Sequence, residues 1–115
     1  MCYAIIPFTF EESLERISQN PVSATARLYK AMENQKASDY ITKCMKQFRK
    51  GIFGITPLED VKSNMDALED GEGRIIARYE GGQLLEDDIY IIAHFSFEEP
   101  GVDCNYTTIL YCNEY

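Results

Sequence analysis

The chain has 115 residues, 45% of them hydrophobic and 26% charged, with a formal net charge of −8. That length fits one domain (1–115), and its fourteen Phe and Tyr argue against a disordered chain. No apolar run approaches the ~20 residues of a membrane span, and the start lacks a signal-peptide pattern, so cytoplasmic residence is the expectation.

The charge is unevenly placed. Residues 1–51 hold eight Lys/Arg against five Asp/Glu, and residues 52–115 hold three against fourteen. After Arg78 there is no Lys or Arg at all. A split of this kind speaks to partners rather than to fold.

In chain order, residues 3 to 8 read as a short extended segment that Pro7 confines to a sheet edge or keeps outside the ladder. Thr9 and Glu12 form a capping-box pattern for a first helix, with Leu14 and Ile17 at helical spacing through Ser18. Asn20-Pro21 breaks it. A second helix is expected from about Val22 to Asn34. Ser38 is the expected cap of a third, with Ile41, Cys44, Met45 and Phe48 on its apolar stripe and Gly51 as its stop. This 1–51 part is thus helical and mildly basic.

In 52–115, Thr56-Pro57-Leu58-Glu59 combines an N-cap, a first-turn proline and a glutamate three residues on. Leu58, Val61, Met65 and Leu68 define the expected buried stripe of this fourth helix, ended by Gly71. Three strands should follow, at Arg74 to Tyr79, Asp88 to Phe97 and Tyr106 to Cys112. Short links containing Gly81-Gly82 and Pro100-Gly101 favour a three-stranded antiparallel β-meander. The fold class is therefore α+β, with three N-terminal helices and a fourth packed on that meander.

The meander sorts the acids into two poles, roughly 25 Å apart. One gathers Glu80, Glu86, Asp87, Asp88 and Glu114; the other gathers Glu69, Asp70, Glu72, Glu98, Glu99 and Asp103. Between them Ile89, Ile91, Ala93 and Phe95 should face the helices. Tyr90, Ile92, His94 and Ser96 should form an open face without compensating charge. The plain alternative for the acids is solvated loops and edges. The functional one is a negative surface for a basic protein, with tyrosines such as Tyr90 and Tyr106 as anchors. Direct nucleic-acid binding by this half would set carboxylates against phosphates. The one basic cluster, the run Lys43, Lys46, Gln47, Arg49 and Lys50, reads as a solvated helix face, or as a phosphate-facing or self-association surface, so monomer and homodimer both stay open.

Catalytic and metal motifs fail on inspection. His94 is the single histidine, so a catalytic pair would need Cys104 or Cys112. Asp66 to Glu72 lacks the alternating ligands and closing glutamate of a calcium loop. Gly71-Glu72-Gly73 and Gly81-Gly82 lack the spacing and Lys-Ser/Thr of phosphate loops. Cys2, Cys44, Cys104 and Cys112 form no C-x-x-C and read as free thiols. No cofactor is expected.

In size, charge and its acidic, tyrosine-bearing second half, the chain resembles the small accessory proteins of phages and plasmids, of which anti-CRISPR proteins are the best known. The resemblance implies a non-enzymatic inhibitor that covers the basic groove of a nucleic-acid-handling protein, such as a CRISPR nuclease. The partner-facing residues would be Glu80, Glu86, Asp87, Asp88, Tyr90, Glu98, Glu99, Asp103 and Tyr106. The alternatives are an antitoxin or assembly adaptor, and a small Cys/His enzyme.

Overall fold

Helix α1 (Phe10–Ile17) opens the computed structural model, which describes residues 10–96 and 105–115. The expected segment at 3 to 8, Thr9 of the first capping box, Cys2, Cys104, Glu98, Glu99 and Asp103 lie outside the described residues. In α1, Leu14 and Ile17 are buried and Ser13 donates to the Leu68 carbonyl at 2.9 Å, tying α1 to α4.

The chain then departs from the sequence expectation. Val22–Ala24 is not the start of a helix but a short strand, β1, parallel to β4. Thr25 N–H donates to the Ile109 carbonyl at 3.1 Å, and Pro21 C=O accepts from Thr107 N–H at 2.9 Å. The physical reason is the otherwise unpaired edge of β4, whose backbone groups need partners. Asn20 does more than break a helix: its buried amide donates to the His94 carbonyl and the Thr107 hydroxyl at 3.2 and 3.4 Å. Thr25 then caps a six-residue helix, α2 (Ala26–Ala31).

Helix α3 (Gln35–Arg49) starts earlier than expected because Asn34, not Ser38, is its cap. Asn34 Oδ1 accepts from the Lys36 and Ala37 N–H groups at 3.0 and 3.2 Å. Ile41, Cys44, Met45 and Phe48 are buried as the periodicity requires.

Helix α4 (Leu58–Asp70) ends on Gly71 in the left-handed region, as expected, but starts differently. Pro57 is its cap, and Thr56 turns away: its hydroxyl donates to the Phe53 carbonyl and accepts from Arg78 N–H. Its buried side is Asn64 and Leu68, while Leu58 and Met65 are exposed, at 75% and 42%. Asn64 Nδ2 donates to the Ile76 carbonyl at 2.8 Å and Oδ1 accepts from Ile76 N–H at 2.9 Å. The helix is therefore rolled so that an amide, not a methionine, meets the sheet edge.

Strands β2 (Glu72–Tyr79), β3 (Ile89–Ser96) and β4 (Tyr106–Tyr111) pair antiparallel. With β1 the order is β1-β4-β3-β2, a four-stranded mixed sheet rather than a three-stranded meander. The fold class stays α+β. Ile75, Ala77, Tyr79, Ile89, Ile91, Ala93, Phe95, Ile109 and Tyr111 face one core with the helices. The residues alternating with them form the outer face.

Candidate functional site

The 80–88 connection carries four of the expected partner-facing acids, and the fold uses three of them internally. Asp88 accepts from Gly81 N–H at 3.0 Å and from Arg78 Nε and Nη2 at 3.2 and 2.9 Å. Glu86 pairs with Arg27 on α2. Asp87 accepts from Asn113 N–H at 2.9 Å. Glu114 accepts from the Thr25 hydroxyl and Tyr111 N–H at 2.8 and 3.0 Å. These carboxylates fasten the loop and the final 3-10 turn (Cys112–Glu114) to α2 and the sheet. Glu80 is different. Its backbone carbonyl accepts from the Tyr40 hydroxyl, and its side chain is exposed. Burial pushes the Tyr40 phenol up to about 12.

The Gly81 N–H and then the Arg78 guanidinium hold the Asp88 carboxyl below its ordinary value. A carboxyl depressed in the folded state stabilises the fold above its unfolded pKa and stops doing so as pH falls through the folded value. Asp88→Asn should therefore lower the urea midpoint at neutral pH, and its gap to wild type should close below about pH 4. Urea denaturation across that range checks this; a gap independent of pH would contradict it.

The outer face of the sheet is not free of compensating charge. Arg74 lies opposite His94, and Arg78 opposite Tyr90, on the same face. Alternation along β3 alone leaves these cations out, because they reach its face only through the register with β2. His94 stacks on Tyr106, with ring centres 4.6 Å apart and planes at 22°. Burial, then Arg74, pushes its pKa down. Tyr115 meets the Tyr90 ring edge-on at 5.3 Å and accepts from Arg74 Nη1 at 2.6 Å. Of the five tyrosines in the second half, Tyr90, Tyr106 and Tyr115 belong to this face, whereas Tyr79 and Tyr111 are core residues.

One end of this face opens into a cavity of about 500 Å³, lined by Asp70, Glu72, Gly73, His94, Phe95, Ser96 and Tyr106. The αL Gly71 reverses the chain from α4 into β2, which brings Asp70 and Glu72 beside the His94–Tyr106 stack. Neither carboxylate has a cation within ion-pair distance among the described residues. Their place in the acidic pole was legible from sequence, but their meeting with His94 depends on the Glu72–Ser96 and Arg74–His94 register.

The Cys/His arrangement does not form with Cys112. His94 pairs with Tyr106, whereas Cys112 follows the Ile89–Tyr111 pair, six positions along the strands and roughly 20 Å away. Burial raises the pKa of both described thiols, Cys44 and Cys112, which keeps them protonated and poorly nucleophilic. Among the described residues, no three His, Cys, Asp or Glu are grouped to hold a metal, and no helix is long and apolar enough to cross a membrane.

No protein-family model matches the chain, and comparison with curated proteins and with solved structures returned no match.

Proposed function

We propose that the protein is a non-enzymatic inhibitor of anti-CRISPR type, binding a basic nucleic-acid-handling protein through its acidic, tyrosine-bearing surface. The observation that carries this reading is the cavity where Asp70 and Glu72, without an ion pair among the described residues, border the stacked His94 and Tyr106. Carboxylates beside an exposed phenol ring suit a partner's Arg or Lys, which gains ion pairing at the acids and cation–π contact at the ring. Glu80 extends the negative surface at the other pole. Glu86 and Asp88 would first have to release Arg27 and Arg78, so they contribute less to encounter. The net charge of −8 opposes direct binding of nucleic acid.

The test is binding to purified guide-dependent nucleases, with association rates measured at low and high salt. Association should slow on the order of tenfold as salt rises. The double variant Asp70→Asn/Glu72→Gln should slow it at low salt. Tyr106→Ala should instead speed dissociation, at a cost of about 1–2 kcal/mol. Failure to bind or inhibit any such nuclease, or rates indifferent to salt and to the neutralised pair, would overturn the reading.

A further inference from the structure

A second concave site lies at the opposite end of β4, where two cations, Arg27 and Lys30, stand with the carboxylates Glu33 and Glu86. It is a cavity of about 730 Å³ between α2 and the 80–88 connection, floored by buried Leu85 and Tyr111. Its volume falls within the ordinary range for a ligand pocket, roughly 300–1,000 Å³.

One wall carries Arg27 and Lys30, three residues apart on α2 and so on the same side of the helix. Arg27 is preorganised. Nη1 donates to Asn113 Oδ1 at 2.9 Å, and the guanidinium carbon sits 5.0 Å from the centre of the Tyr111 ring. Its Nη2 meets the Glu86 carboxylate. Lys30 lines the same cavity with no carboxylate in ion-pair distance among the described residues. Leu84, 45% exposed, adds an apolar side chain to the same lining.

We propose that this groove binds an acidic, leucine-bearing peptide segment of a partner protein, whose carboxylates take Arg27 and Lys30 while its apolar side chain packs on Leu84 and Leu85. Glu86 is the internal stand-in for that ligand: the fold already places a carboxylate on the Arg27 fork. The pair is solvent-exposed, at 47% and 58%, so a competing carboxylate displaces it at little cost. The unpaired Lys30 gives an external ligand a second ionic contact that Glu86 does not take. Glu33 also lines the cavity just past the end of α2, three residues on from Lys30, and so bounds the basic stretch of Arg27 and Lys30.

The probe is an acetylated, amidated octapeptide of alternating aspartate and leucine, titrated into the isotopically labelled full chain by NMR. The control replaces each aspartate by asparagine. Saturable shifts are expected at the Leu84 and Leu85 methyls and at Arg27 Nε–H with the aspartate peptide only. Glu86→Gln removes the internal competitor and should tighten binding by up to about fivefold. Lys30→Glu, at an exposed position that leaves the core untouched, should weaken it by about fivefold or more. Both variants are checked by thermal melting for an unchanged fold. Equal binding of the asparagine peptide, no tightening by Glu86→Gln, or shifts confined to the basic face of α3 would each overturn the proposal.

Discussion

Asn64→Ala is expected to lower the free energy of unfolding by about 2–4 kcal/mol. Asn64 is 1% exposed, and its amide bonds both the N–H and the C=O that Ile76 turns outward from β2. In effect the side chain replaces two rungs of a missing neighbouring strand. Alanine removes both bonds and leaves the two Ile76 groups partly buried without partners, which is the costly side of hydrogen-bond loss. It also uncovers a strand edge, so the variant should aggregate more readily than wild type. Asn64→Asp keeps the acceptor but loses the donor and buries a charge, so it should not rescue. Urea denaturation measures the effect; a loss below about 0.5 kcal/mol would show that water satisfies Ile76 equally well.

Gly54→Ala should cost a comparable amount, about 2–4 kcal/mol. Gly54 has φ +62° and forms a bridge with Arg78 on the same β2 edge. A Cβ there would lie 2.4 Å from the Arg78 carbonyl oxygen and 2.7 Å from the Tyr79 ring. The left-handed backbone alone costs an alanine roughly 1–2 kcal/mol. Relieving the clash would move residues 53–56 off the edge and weaken the Ile55 N–H bond to Arg78 C=O and the Thr56 hydroxyl bond to Arg78 N–H. Gly82→Ala makes a sharp control. It has a similar φ of +59° but open space around it, so it should lose the backbone share alone. Equal losses at the two positions in urea denaturation would rule out the packing argument.

Both predictions concern a strand edge that the sequence does not advertise. The apolar spacing of Leu58, Val61, Met65 and Leu68 is a sound helix signal, and the helix exists. Its rotation is set by something periodicity cannot see: the hydrogen bonds of Ile76, which only a residue such as Asn64 can satisfy. The same blindness hid β1. Val22 to Ala24 precedes helix-forming residues and is too short for a pattern of alternation; it becomes a strand because β4 offers it unpaired backbone. Residues whose role is local were legible. Gly71 ends α4, the Ile41–Phe48 stripe is buried, and Ile89, Ile91, Ala93 and Phe95 share the core face.

The candidate site divides along the same line. The acids of 69–72 and 80–88 could be placed at strand ends from strand boundaries, but which of them remain free could not. Glu86 meets Arg27 across 59 positions, and Glu114 meets Thr25 across 89. Alternation along β3 set Tyr90 and His94 on the outer face, and Tyr106 reaches it through its pairing with His94. Arg74, Arg78 and Tyr115 join them through register and the final turn, neither of which composition encodes.

The parallel strand β1 also bears on how the molecule assembles. The hairpin of β2 and β3 joins residues close in sequence, so its closure costs little chain entropy. The bracket from Asn20 to Thr107 spans 87 positions, and β1 cannot pair before β4 is in place. Contacts of such separation slow folding out of proportion to the few bonds they contribute. The three residues of β1 thus close a loop through most of the described chain, making the smallest strand the most non-local element of the sheet.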